Sequence, residues 1–378
     1  MPGYRIISSD NHVFEPPDLW QTRMEPRFRD RAPVIVRDED GNDWWYCDGQ
    51  KLGNTGFGFG GAQPGQRFEE GAGANLTFGD VFENVRPGGY IPEEQVKDMD
   101  IDGVDVSILY PTAGLQLYKQ PDADLLTGIF KAYNDWLAEF CHVSPNRLKP
   151  IAMLNVDDVQ TATKEMERCT KLGFIGAMIT VRPPEGRRYD SPEYEPLWAA
   201  AQDLEMPLSL HLATDRLGSG PGGENILTDN GLSFASNVDY PVKMSISDII
   251  FGGVFERYPR LQVGAVEYEV SWAATLQERM DYSYTQRTHD TQPYRFKENM
   301  LPSDYFGRNV FIGFQEDGLG IRLRDVIGVD NLHWGSDYPH HESTFPRSQQ
   351  ILEEILADCT EEEKAKVAGG NAARVYNI

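Results

Sequence analysis

The residues best suited to chemistry in this sequence are Asp10 and His12, two positions apart, and three solitary groups downstream, His211, Glu267 and Asp337. In Asp-x-His on a β-strand both side chains share one face, so a carboxylate oxygen and an imidazole nitrogen can chelate one ion. A mixed nitrogen and oxygen donor set suits zinc, manganese or iron in the divalent state. Such an ion either lowers the pKa of a bound water or steadies negative charge on a substrate oxygen. Taken singly each residue has a plainer use, a hydrogen-bonded structural histidine or an aspartate capping a helix. The case for a metal rests on their joint position in the chain.

That position follows from the elements. Eight short apolar runs alternate with amphipathic segments: Tyr4–Ser8, Val104–Tyr110, Lys149–Val156, Phe174–Val181, Pro207–Leu212, Leu261–Glu267, Asn309–Phe314 and Asn331–Asp337. The segment Asp122–Cys141 carries Leu125, Ile129, Tyr133, Leu137 and Phe140 at helical spacing, and another helix runs from about Val159 to Leu172 before Gly173. Further helices are expected around Glu93–Met99, Pro192–Leu204 and Ser271–Tyr282, in a long region reaching Tyr258, and over Arg347–Ala357 and Glu361–Gly369. Strands separated by helices make a parallel sheet, and eight of them close a (β/α)8 barrel. A doubly wound open sheet is the alternative, but its nucleotide fingerprint is missing. In a barrel the strand ends converge on one mouth, and these runs end in Asp10-Asn11-His12, His211, Glu267 and Asp337.

Nearly a hundred residues separate the first two strands. They include a hairpin, Val34–Arg37 with Trp44–Cys47, and a Gly- and Phe-rich stretch, Gly56–Gly61. An insertion there, about residues 21–95, sits at the catalytic mouth as a lid or as a packed surface loop. Gly218–Gly223 is a second glycine-rich loop and Ser283–Pro302 a second polar excursion. The whole chain is expected to be one domain.

The 35 basic and 59 acidic residues give a net charge of −24, which repels phosphate backbones and anionic lipid. Neither nucleic acid nor a membrane is expected as a partner, and a homo-oligomer would not surprise. The start shows no basic and apolar leader, and the cysteines (Cys47, Cys141, Cys169, Cys359) lack metal-type spacing, so a reducing cytoplasm is the expected location.

The segment Ser9-Asp10-Asn11-His12-Val13-Phe14-Glu15-Pro16-Pro17-Asp18-Leu19-Trp20 is similar to the opening motif of the amidohydrolase-related family, which contains aminocarboxymuconate semialdehyde decarboxylase and the non-oxidative benzoate decarboxylases. The resemblance continues through Tyr133–Leu137, Pro145–Leu148, Gly173-Phe174, His211, Phe255–Pro259 and Glu267–Trp272. It closes with Trp334–His340 and Gly370–Ala373. It implies a barrel with one catalytic divalent metal held by Asp10, His12, His211 and Asp337. Many relatives carry His-x-His on the first strand, whereas this chain has Asp-x-His. The family often places a histidine where Glu267 stands, and no lysine ends the fourth strand, where Arg182 and Pro183 follow instead.

The leading expectation is a hydrolase acting on a small organic substrate through metal-activated water. Glu267 or Asp337 would be the general base, with His211 also among the catalytic residues. Non-oxidative decarboxylation of an aromatic or unsaturated acid is the alternative, with Arg182 on the substrate carboxylate or, equally, tied to an acidic neighbour. Tyr110, Trp334 and Phe14 suggest an aromatic-tolerant pocket, and His340 and His341 follow Asp337 closely enough to reach it. The many carboxylates leave room for a second metal and for oxygen chemistry with iron or manganese. A barrel that only binds a ligand is the remaining reading.

Overall fold

The computed structural model describes residues 3–54, 81–216, 233, 236–287, 296–340 and 342–378. Gly56–Gly61, Gly218–Gly223 and His341 lie outside the described residues. Strand β1 (Ile7–Val13) is followed by a small antiparallel sheet of β2 (Val34–Arg37), β3 (Asp43–Cys47) and β4 (Gln50–Asn54). The chain then lays down β5 (Val106–Pro111), β6 (Leu148–Met153), β7 (Gly176–Ile179), β8 (Leu208–His211), β9 (Val263–Val266), β10 (Val310–Phe314) and β11 (Leu332–Trp334). These seven join β1 in one parallel sheet, in chain order. Every residue of the eight strands except Lys149 is buried, as expected where helices cover one face and the barrel interior the other.

The ring closes between its first and last strands just beyond the end of β11. Ser9 Oγ donates to the Trp334 carbonyl (2.9 Å), the Asp337 amide to the Asp10 carbonyl (2.8 Å), and the His12 amide to the Tyr338 carbonyl (2.6 Å). The first strand is longer than its apolar run. The ladder with β5 shifts register between Ser8 and Asn11, and the strand continues through the polar residues to Val13. Bulges of this kind re-aim side chains beside functional sites. The polar stretch is tolerated because its side chains find partners: Asn11 Oδ1 accepts from Ser8 Oγ (2.7 Å) and the Tyr338 amide (3.2 Å).

The helices follow from capping and apolar spacing. Asp122 accepts from the amides of Asp124 and Leu125 to start Ala123–His142, whose Leu125, Ile129, Tyr133, Leu137 and Phe140 are all buried. Asp158 caps Val159–Lys171 in the same way, and Gly173 behind it has φ +93°, the left-handed conformation glycine adopts freely. The long helical region divides into Tyr240–Phe251 and Val254–Arg257, with Gly253 at φ +69° between them. The last expected helix stops at Ala365 and widens into a π turn, Lys366–Gly370. The expected hairpin gains a third strand, β4, whose short polar sequence gave no apolar alternation.

Tyr376, from the helix Asn371–Tyr376, reaches into the barrel interior, where its hydroxyl lies 3.3 Å from that of Tyr110. All four cysteines are free and buried. Among the described residues no helix is long and apolar enough to cross a membrane.

Candidate metal centre

Asp10 and His12 on β1, His211 at the end of β8, Glu267 just past β9 and Asp337 just past β11 are brought to one end of the barrel. Ligand atoms of Asp10, His12, His211 and Glu267 lie within 4.8 Å of one another, and so do those of His12, Asp337 and His340. His12 is common to both groups. Its Nε2 is 3.4 Å from Asp10 Oδ1 and 3.1 Å from Asp337 Oδ1, and His211 Nε2 is 3.4 Å from the same Asp10 oxygen. Glu267 Oε2 stands 3.5 Å from His211 Nδ1.

The tautomers follow from the backbone. His12 Nδ1 donates to the Pro111 carbonyl (2.7 Å) and His211 Nδ1 to the Leu212 carbonyl (2.9 Å), so both rings turn Nε2 toward the carboxylates. His12 Nε2 and Asp337 Oδ1 are fully buried, and neither makes a hydrogen bond. A buried donor or acceptor left in this way costs about 1–3 kcal/mol unless something else satisfies it. A divalent cation does so for both atoms at once, and the donor set fits one.

The electrostatics agree. Burial works against the charge on Asp10, yet His211 and His12 hold its carboxyl below the usual range. Asp337 is likewise held down by His340 and His12 against its own desolvation. Burial opposes a charged His12, but the neighbouring carboxylates of Asp10 and Asp337 raise it well above its usual value. The cluster thus demands positive charge at His12 Nε2, from a proton or from a metal. Glu267 is pushed the other way, well above the carboxylate range, by burial and then by Asp337 and Asp10. Its backbone at φ +67° and that of Asp337 at φ +58° are left-handed, conformations that surrounding structure must enforce.

Other expected residues fall differently. His340 stacks on His12 with ring centroids 4.0 Å apart, and its Nδ1 is 2.9 Å from Asp337 Oδ1. Tyr110 packs its ring on His211, but its hydroxyl is bonded inward to Ser209 (2.7 Å) instead of facing the mouth. Phe14 is buried against Val85 and comes 6.1 Å from the His340 ring. Trp334 is fully buried in the core. Arg182, half-buried in the loop after β7, has Asp215 and Asp248 as charged neighbours and no contact with the ligand set. Sequence reasoning passed over Glu15 and Thr112. Glu15, three residues after His12, accepts from the amides of Thr112, Ala113 and Gly114, and Thr112 Oγ1 meets His340 Nε2 at 3.1 Å. The position of Glu15 within the opening motif was the only available signal, and Thr112 had none.

The amidohydrolase family profile matches residues 38–378, nine-tenths of the chain. The chain belongs to the amidohydrolase family. A gamma-resorcylate decarboxylase from Rhizobium sp. (strain MTP-10005) is 25% identical over 307 residues, 76% of this chain and 88% of the relative. An amidohydrolase from Mycobacterium avium subsp. paratuberculosis K-10 superposes with a TM-score of 0.83 at 20% identity, over 100% of this chain and 99% of the other. A 5-carboxyvanillate decarboxylase from Novosphingobium aromaticivorans DSM 12444, crystallised with manganese and 4-hydroxy-3-methoxy-5-nitrobenzoic acid, superposes at 0.67 with 20% identity, covering 100% and 97% of the two chains. The eight-stranded parallel barrel is therefore an amidohydrolase barrel, and this member of the family is an enzyme with a residue cluster able to hold a metal.

Proposed function

We propose that this amidohydrolase is a non-oxidative decarboxylase of a hydroxylated aromatic or unsaturated acid, dependent on one divalent metal. The observation that carries the reading is the convergence of buried, unbonded His12 Nε2 and Asp337 Oδ1 with Asp10 and His211, in a chain whose relatives release carbon dioxide from such acids. Asp10, His12, His211 and Asp337 would hold the ion, with manganese the first choice because a structural neighbour carries it. When bound, the ion neutralises negative charge on the substrate's oxygens.

The chain's own residues supply the rest. The carbon–carbon bond to the carboxylate breaks, carbon dioxide leaves with its oxygens, and the ring carbon keeps the electron pair until a proton arrives. Glu267 is placed to deliver that proton: its side chain is one-fifth exposed on the open side, and burial beside Asp337 and Asp10 favours the protonated form. Asp10 and Asp337, held ionised, stay as anions around the ion. The ring of His340 walls the site beside His12. The remaining reading, hydrolysis, rests on the same Glu267, since a carboxylate at this position can also take a proton from water. The substrate is a small molecule on either reading, and the chain is taken as a single domain.

Elemental analysis of wild type beside Asp337→Ala comes first, followed by carbon dioxide release from a panel of hydroxybenzoates without oxygen. About one equivalent of manganese or zinc, lost in the variant, with carbon dioxide released from one panel member, is the expected result. Hydrolysis of an ester or amide panel without decarboxylation would move the enzyme to the hydrolytic reading. Two equivalents with iron present would point to oxygen chemistry. No bound metal after reconstitution would overturn the metal centre itself.

A further inference from the structure

Glu15, 1% exposed, stands just beyond β1, the strand that bears Asp10 and His12, and its carboxylate is given over to backbone. Oε1 accepts from the Gly114 amide at 2.8 Å, and Oε2 from the Ala113 amide at 2.9 Å. The Thr112 amide lies 3.4 Å from the same Oε2. These three successive amides open the turn that leaves β5 and enters the short helix Ala113–Leu117. A carboxylate buried among amides replaces its lost water with their hydrogen bonds, and in doing so it holds the turn to β1.

The Thr112 amide belongs to the same peptide unit as the Pro111 carbonyl. That unit is trans and planar, so the two groups point in opposite directions. Glu15 lies on the amide side, and on the carbonyl side His12 Nδ1 donates at 2.7 Å. Val13 and Pro111 form the last rung of the β1–β5 ladder, so beyond it the ladder no longer decides how this peptide is turned. The backbone of His12 is tied at both its groups, the amide to the Tyr338 carbonyl (2.6 Å) and the carbonyl to Gln95 Nε2 (3.2 Å). Those bonds fix where the residue sits, and the bond from Nδ1 sets which way the ring faces. We propose that Glu15 is a positioning residue: by holding the amides of residues 112–114 it aims the Pro111 carbonyl at His12, and so sets the direction of Nε2 toward the ion. Groups that orient a ligating histidine through its second nitrogen govern metal affinity nearly as strongly as the ligands themselves. The inference rests on His12 being a ligand, as proposed above.

The test compares wild type with Glu15→Gln, which keeps the length and shape but replaces one acceptor oxygen with an NH2 group that cannot accept from an amide. Asp122→Ala is the control. It removes the cap of the helix Ala123–His142, away from the ligand set, and weakens the fold without touching the turn. Co2+ is titrated against a competing chelator, the visible bands of the loaded proteins report how the ligands are arranged, and urea midpoints of the metal-free proteins report stability. Expected in Glu15→Gln are roughly tenfold weaker Co2+ binding and displaced bands. Expected in Asp122→Ala are a lowered urea midpoint, affinity within about twofold of wild type and unchanged bands. If Glu15→Gln shows no cooperative urea transition, Glu15→Asp, which withdraws both oxygens by one methylene, is read in its place against the same outcomes. Affinity within about twofold of wild type with unchanged bands would overturn the inference, and so would an equal loss in Asp122→Ala, which would make the effect one of stability alone. A wild type that binds no Co2+ would overturn the metal reading and this inference with it.

Discussion

His333 sits on β11 inside the barrel, 1% exposed, with its ring stacked on Phe311 at 4.8 Å and neither nitrogen hydrogen-bonded. Burial, helped by the charge of Arg374, pushes its pKa down from the usual 6.5 to about 3. The folded protein therefore keeps this ring neutral, while the unfolded chain takes up a proton below 6.5. A depressed folded pKa contributes stability that is fully present above 6.5 and is lost progressively as the pH falls toward 3. At about 1.4 kcal/mol per pH unit, lowering the pH from 7.5 to 4.5 costs roughly 2.7 kcal/mol through this residue alone. His333→Leu removes the titration and keeps an apolar side chain of similar volume. Urea denaturation of the metal-free proteins, followed by tryptophan fluorescence at the two pH values, isolates the effect, since any packing change enters equally at both. The variant should gain about 2–3 kcal/mol on wild type between pH 7.5 and pH 4.5. A difference between the two proteins that stays constant to within about 0.5 kcal/mol would refute the reasoning.

Three further outcomes are expected. Gly335→Ala would place a Cβ 2.6 Å from Asp10 Cβ and 3.0 Å from the Asp10 amide nitrogen, so overpacking should cost about 1–3 kcal/mol in thermal unfolding and lower the metal content on elemental analysis. Asp98→Ala removes the partner of half-buried Arg86, bonded at 2.7 and 2.6 Å, and the acceptor of the Tyr338 hydroxyl; leaving both groups without that partner should cost about 1–3 kcal/mol, read from urea midpoints. Because His12 is raised well above 6.5, a metal must displace a proton from it near neutral pH, so Zn2+ affinity measured at pH 6, 7 and 8 should fall about tenfold per unit of acidification. A flat profile would mean that His12 is not a ligand.

The strand-end rule found the candidate ligands because apolar runs stop where the barrel opens, so Asp10, His12, His211, Glu267 and Asp337 announce themselves as polar endings. What it lacked was direction. The alternation of a strand says that Tyr110 faces the interior but not whether its hydroxyl points toward the mouth or toward Ser209 below. Arg182 follows the fourth barrel strand as a mouth residue should, yet nearby Asp215 and Asp248, from other parts of the chain, compete for its charge. The apolar run Tyr4–Ser8 does not show that β1 continues to Val13, because the partners of its polar end include the Tyr338 amide, 327 positions from Asn11. Thr112 was invisible for the same reason, its contact beside the site being to a histidine 228 positions downstream.

The closure of the ring between β1 and the residues after β11 has a thermodynamic consequence. Asp10 and His12 lie on one side of that join and Asp337 on the other, and the amides of His12 and Asp337 form the cross-links between them. An ion gripping all three would act as a clasp across the one place where the sheet lacks a continuous strand ladder. Any opening of the join must then release the ion, and by mass action free metal suppresses that opening in proportion to its concentration. Exchange of those two amides with deuterated solvent would become a gauge of metal occupancy, slowing as the ion is added while amides on the far side of the barrel keep their own rates.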